Sequence, residues 1–395
     1  MKVIPVFLIQ LALCWGTISL WSAESNDDEW SELDETFEIL AEIESLFAPI
    51  EPPRVEFKQF GRLAAGLGFN NNIYQSPTST KSWFTDINGD WVLDIKPSSP
   101  WHHQLYTFAQ WQGYERSLTI SDEWTALGFW KSVYKSLPWI YSTQFQYYYG
   151  DQFFDGGLND LDIPTGARVI QHSAEWKTSA SYELNSQLQV MGSIFAKFAE
   201  LNFSTYNRQS YGTELEIQWT SPTASKAFLA LNGEFETTHR PNDFAKDRFG
   251  IAASQESFET DSLTFSFLTG IPVSTPWGSS LIKGGLSWKG VDDNGGGYDD
   301  YWQFSQSIRL ESKIKDLEFS ISYQNSFRDY SNRRFSFRNV VSLEETLETV
   351  EVLLIYPVGK NTEIEFSAWS EDLLSNNNSD NFSNMQFSLL INRLF

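Results

Sequence analysis

From Phe57 to the end of the chain, apolar and polar residues alternate with a period of two. Between Trp83 and Lys96, the residues Trp83, Thr85, Ile87, Trp91, Leu93 and Ile95 fall on one face. Asp86, Asn88, Asp90, Asp94 and Lys96 fall on the other. Successive side chains of a strand point to opposite faces, and two faces this unlike suit a strand between lipid and water. The pattern returns over 168–183, 209–219 and 317–327. Weaker alternation fills 60–69, 104–115, 124–133, 139–149, 187–198, 227–236, 261–271, 280–290, 301–312, 347–356, 362–370 and 384–395. These segments predict sixteen strands, in a range of fourteen to eighteen, because 237–260 and 328–345 could each gain or lose one.

The connections alternate as well. One set is short: 97–100, 136–138, 184–186, 221–225, 313–316 and 357–361. The other is longer and polar: 70–82, 150–166, 237–260, 291–300, 328–345 and 371–382. Short turns at one end and long loops at the other are the up-and-down arrangement of outer-membrane barrels. The expected fold is therefore all-β: a closed, up-and-down antiparallel transmembrane β-barrel over 57–395, with a short amphipathic helix before it. The last strand supports this. Phe387, Leu389, Ile391 and the terminal Phe395 share one face, and such an ending resembles the C-terminal assembly signal of bacterial outer-membrane barrels. Arg393 places a charge on that face, at a cost of roughly 0–1 kcal/mol near a membrane interface.

The first 56 residues follow other rules. Lys2 and the apolar run from Val3 to Trp21, then Ser22 and Ala23, read as a secretory signal peptide over 1–23. Over 24–56, Trp30, Leu33, Phe37, Leu40 and Phe47 recur at helical spacing among acidic residues, until Pro49, Pro52 and Pro53 end the pattern. This segment is expected to be a solvated arm or, through residues 24–53, a docking element for a periplasmic partner.

Composition narrows the class. The 395 residues include 31 Phe, 16 Tyr and 16 Trp, yet hydrophobic residues make up only 41%. Lys and Arg total 28 against 51 Asp and Glu, a net charge of −23. Such an acidic chain lacks the basic stripe a nucleic-acid binder needs. After the N-terminal segment no apolar run reaches the ~18–20 residues of a spanning helix. The one cysteine, Cys14, lies in the signal segment, so the exported chain has no thiol for a disulfide or a metal.

The stretch from Gly61 to Ile95, GRLAAGLGFNNNIYQSPTSTKSWFTDINGDWVLDI, is similar to the first hairpin of the β-barrel porin type 2 group. It also resembles the C-terminal barrel of surface-lipoprotein assembly modifiers. A glycine-rich first strand runs into Asn70, Asn71 and Asn72, and a long second strand follows. The resemblance implies an outer-membrane barrel of a Gram-negative-type bacterium, in contact with outer-membrane lipid and lipopolysaccharide and inserted by the barrel-assembly machinery. One short helix in place of helical repeats favours a plain barrel over client handling.

Motifs for chemistry are sparse. No HExxH, GxSxG, P-loop or cysteine pair occurs, and neither a catalytic residue nor a cofactor is assigned. Of the four histidines, His102 and His103 fall beside a short turn with rings pointing opposite ways, His172 falls on a lipid-side position and His239 in a long loop. Two acidic loops are weak candidates for a hard cation: Asp155, Asp160 and Asp162, and Asp292, Asp293, Asp299 and Asp300. The wet faces carry more information. Candidate pore-lining residues are Asp86, Asp90, Asp94, Glu175, Lys177, Glu214, Glu216, Glu234, Glu236, Arg309, Glu318, Glu351, Glu363 and Glu365. A barrel of this size leaves room for an aqueous channel, and excess carboxylate in its wall favours cations or small polar solutes. The alternative is an assembly or export partner for a surface polysaccharide or lipoprotein, docking through the N-terminal arm.

Overall fold

The computed structural model describes residues 55–73, 80–96, 100–115, 122–154, 167–222, 227–247, 250–275, 278–333, 342–377 and 381–395. The signal segment, the acidic helix and residues 24–53 lie outside the described residues. The chain forms β1 (Glu56–Asn70), β2 (Ser82–Lys96), β3 (Trp101–Tyr114), β4 (Asp122–Ser136), β5 (Trp139–Phe154) and β6 (Ala167–Asn185). It continues through β7 (Leu188–Leu201), β8 (Arg208–Thr220), β9 (Phe228–Lys246), β10 (Ala252–Thr275) and β11 (Gly278–Asp293). The last strands are β12 (Tyr301–Ile314), β13 (Leu317–Tyr330), β14 (Leu343–Gly359), β15 (Thr362–Ser375) and β16 (Phe382–Leu394). Each pairs antiparallel with its neighbours, and β1 pairs with β16, from Arg62 opposite Leu394 to Asn70 opposite Gln386. The sheet is a closed barrel of sixteen strands. Closure leaves no edge with unpaired backbone groups, the condition for β structure in lipid.

Directly opposed residues share a face, so the orientation of one strand fixes the next. Asp86 opposes Gln112, which opposes Glu123, and the parity continues around the barrel. The two faces differ sharply. Leu67 and Leu389, opposed across the closing pair, are 62% and 55% exposed, whereas Ala64 and Leu390, on the inner face of the same two strands, are 1% and 4% exposed. The exterior is an apolar band that would be a liability in water and is satisfied in hydrocarbon. Trp101, Trp139, Tyr141 and Trp219 sit outward near the short-turn end, and Trp83, Trp124, Tyr211 and Trp302 near the other end. These are the two aromatic girdles of a membrane-spanning barrel. The only helix among the described residues is one 3-10 turn, Ser204–Tyr206.

Two features differ from the sequence reading. The strands run several residues past the alternating segments, and the expected loop 237–260 is mostly strand: β9 continues to Lys246 and β10 begins at Ala252. The physical reason is that alternation reports hydrocarbon on one side. Beyond the hydrocarbon neither face of a hairpin needs an apolar row, so the polar run Glu236–Thr237–Thr238–His239–Arg240 keeps its ladder without one. His239 is accordingly a strand residue, opposite Gln209 and Glu259.

Candidate functional site: the inner wall

The register puts the acidic and basic positions of the wet faces on the inner wall together. Asp86, Asp90 and Asp94 share it on β2, Glu175 and Lys177 on β6, Glu214 and Glu216 on β8, and Glu234 and Glu236 on β9. Arg309 on β12, Glu318 on β13, Glu351 on β14 and Glu363 and Glu365 on β15 have the same parity. Side chains from neighbouring strands then meet. Arg62 Nε lies 2.7 Å from Asp90, and Arg62 Nη1 lies 3.0 Å from Glu365, which also accepts Asn392 at 2.9 Å. Asp86 accepts Gln110 at 2.7 Å and Gln112 at 2.9 Å. Glu214 pairs with Lys177 and accepts from Asn232 and, at 3.1 Å, from Ser193. Lys197 reaches Glu236 at 2.9 Å. Lys283 and Arg309 each approach Glu311 at 2.9 Å, and Lys313 lies 2.8 Å from Glu318. Glu351 accepts Ser322 at 3.0 Å.

Several inner-wall cations escaped the sequence reading: Arg62, Lys131, Lys197, Lys283, Lys289 and Arg328. Their strands alternate weakly, except that Arg328 lies one residue past the alternating segment of its strand. Arg62 stands among Gly and Ala in GRLAAGLG, and Lys197 among Phe and Ala in IFAKFAE. The signal that finds them is the register itself, carried from the clear strands to their neighbours. They offset part of the carboxylate excess. The remainder is uneven: on β6–β9, Glu175, Glu214, Glu216, Glu234 and Glu236 stand with Lys177 and Lys197.

His102 and His103 stand at the short-turn end of their strand, beside the turn expected for them. His102 and His103 belong to β3. The His102 ring meets Asp94 on the inner wall, and His103 stacks outward on Trp101, 5.9 Å between centroids. The opposite directions are those of strand neighbours. His172 faces outward, where Tyr147 meets its Nδ1 at 2.7 Å.

The second acidic loop does not gather around a cation position. Asp293 accepts the backbone N–H groups of Gly295, Gly297 and Asp299 at 2.8, 3.0 and 2.8 Å. Asp300 accepts the Asp293 N–H at 2.7 Å, and burial raises its carboxyl above the ordinary carboxylate range. Asp299 lies 3.6 Å from Arg240, and Asp292 is exposed. These carboxylates are used by the fold, and among the described residues no group of three or more metal-ligating side chains comes together. Asp155, Asp160 and Asp162 lie outside the described residues.

Phe387, Leu389 and Ile391 face outward on β16. Phe395 and Gly61 exchange two backbone hydrogen bonds of 3.0 Å, and the Phe395 ring covers Gly61 so closely that a Cβ there would lie 2.3 Å from it. Arg393 points outward near the short-turn end and donates to Thr362 at 3.0 Å.

A closed sixteen-strand sheet with an apolar outer band, two aromatic girdles and a charged, hydrogen-bonded inner wall defines a porin-like β-barrel of the outer-membrane type. No family model and no curated protein matches the chain. Among solved structures, the chain is similar to the outer membrane protein OpdK from Pseudomonas aeruginosa at 11% identity, covering 86% of this chain and 99% of that one, with a TM-score of 0.45. OprD from the same organism gives 12% identity, 86% and 95% coverage and a TM-score of 0.44. CdiB from Acinetobacter baumannii gives 13% identity, 87% coverage of this chain and a TM-score of 0.43; the chain spans 66% of CdiB.

Proposed function

We propose that the chain is a passive diffusion channel of the outer membrane for small polar solutes, with a modest preference for cations. One observation carries the reading. The inner wall of β6–β9 holds the carboxylates of Glu175, Glu214, Glu216, Glu234 and Glu236 beside the amines of Lys177 and Lys197. Carboxylates in a low-dielectric wall focus a negative potential across the bore and raise the local cation concentration. Arg62, Lys283, Lys289 and Arg309 on other strands keep the preference modest. Barrels of sixteen strands are wide enough to leave an aqueous channel. In this reading outer-membrane lipid and lipopolysaccharide surround the apolar band, and the barrel-assembly machinery takes up the chain through its last strand. The test is a planar bilayer with a KCl gradient. The purified barrel should conduct, with a reversal potential favouring K⁺ over Cl⁻; silence or anion preference would count against the reading.

A further inference from the structure

We propose that residues 24–53 dock inside the bore, with their apolar stripe on an apolar sector of the inner wall of β1–β5 and their carboxylates facing the cations beside it. The occupant is this chain's own N-terminal arm. The docking does not depend on the channel reading above; its effect on conductance does.

The sector is continuous by register. Phe60 opposes Val92, Val92 opposes Tyr106 and Tyr106 opposes Phe129; in the next inner row Phe108 opposes Leu127, which opposes Tyr148. Tyr106, Leu127 and Tyr148 are buried among these neighbours, while Val92, Phe108 and Phe129 keep part of their surface open to the bore. The first row turns polar at Gln146 on β5 and Glu175 on β6. Lipid does not reach the inner wall, so the membrane gives no reason for an apolar sector there, and water against it is unfavourable. Three cations stand on its short-turn side. Lys58 on β1 and Lys131 and Lys135 on β4 face inward, and none has an ion-pair partner among the described residues. The β2 carboxylates there are already taken, Asp90 by Arg62 and Asp94 by His102 and Lys96.

The arm matches this surface in charge, in pattern and in reach. Between Glu24 and Pro53 it carries eleven Asp and Glu and no Lys or Arg. It is therefore attracted to the free cations of β1 and β4 and repelled by the carboxylates of Glu175, Glu214, Glu216, Glu234 and Glu236 on β6–β9. Its stripe of Trp30, Leu33, Phe37, Leu40 and Phe47 has the spacing of helices that lay an apolar face on a partner surface. The arm joins the barrel at Glu56, at the short-turn end of β1, and Phe60 lies about 13 Å further along that strand. Residues 48–54, with Pro49, Pro52 and Pro53, span about 20 Å when extended. A tether this short holds the arm beside the sector at a high effective concentration, so individually weak contacts suffice.

A benzophenone side chain in place of Phe37, in the full chain in native membranes, tests the docking. Irradiation, proteolysis and mass spectrometry should find the crosslink in β3 or β4. Two variants should cut its yield at least threefold. One combines Lys58→Glu and Lys131→Glu in the wall; the other combines Glu35→Gln, Glu38→Gln and Glu42→Gln in the arm. The arm variant leaves the barrel untouched and decides alone should the wall variant fail to fold. In a planar bilayer, protein lacking residues 24–53 should conduct at least twofold more than the full chain. A crosslink to lipid, to the outer band, to a second copy or to another envelope protein would overturn the docking. Full yield in either folded variant, or equal and measurable conductance with and without the arm, would overturn it too. Silence of both lengths with the crosslink to β3 or β4 kept would overturn the channel reading and leave the docking standing.

Discussion

Arg62 on β1 reaches Glu365 on β15 at 3.0 Å, across the intervening β16. The bond spans the seam where the sheet meets itself. The same guanidinium holds Asp90 on β2 at 2.7 Å, so one cation ties the first two strands to the last two. Arg62→Gln leaves two partly buried carboxylates without their cation. Breaking a fully buried pair costs ~3–5 kcal/mol, and the residual exposure here reduces the expected loss to about 1–2 kcal/mol. Urea unfolding in lipid vesicles measures it; an unchanged midpoint would deny the seam role.

Gly61 has a steric reason to be glycine. Gly61→Leu pushes a side chain into the Phe395 ring and displaces the final residue from its backbone pair. The heat-modifiable fraction recovered from membranes should fall severalfold, while Gly89→Ala, whose added Cβ meets nothing closer than 3.3 Å, should fall little. Equal recovery would remove Phe395 from the closure.

The fold was legible because the membrane writes it into the chain. Wherever hydrocarbon lies on one side, as at Leu215 and Ile217 against Glu214 and Glu216, the period of two is plain. It was not legible at 237–246, where both faces are polar, nor in β1, where Gly and Ala carry no contrast around Arg62. The carboxylates of the inner wall were readable one strand at a time. Their partners were not, because Lys177 and Glu214 stand 37 residues apart and only the register brings them together. The acidic cluster at 292–300 has the composition of a cation loop, yet Asp293 and Asp300 accept backbone N–H groups and Asp299 lies beside Arg240, which composition does not encode.

The two faces should respond differently to one charge. Leu389→Arg places a guanidinium in the outer band and is expected to cost about 2–4 kcal/mol. Thr264→Arg faces the inner wall opposite Glu234 and should cost less than about 1 kcal/mol, in the range of a solvated ion pair. Unfolding midpoints measured in the same lipid separate them, and equal losses would contradict the assignment of faces.

Selectivity should follow the Lys177–Glu214 pair. Glu214→Gln removes a wall charge and leaves the Lys177 amine with less compensation, so cation preference should fall. Lys177→Met removes the amine and should raise it. Opposite shifts of the reversal potential are expected in a KCl gradient; shifts of the same sign would show that this wall does not set the field.

The most direct measurement walks a single spin label along β8, from Thr213 to Gln218, with Cys14, the chain's only cysteine, replaced by Ser and the barrel in lipid. Collision with dissolved oxygen should peak at Thr213, Leu215 and Ile217, and collision with a water-soluble nickel chelate at Glu214, Glu216 and Gln218. The reverse phase, or no alternation, would contradict a sheet with lipid outside and water within.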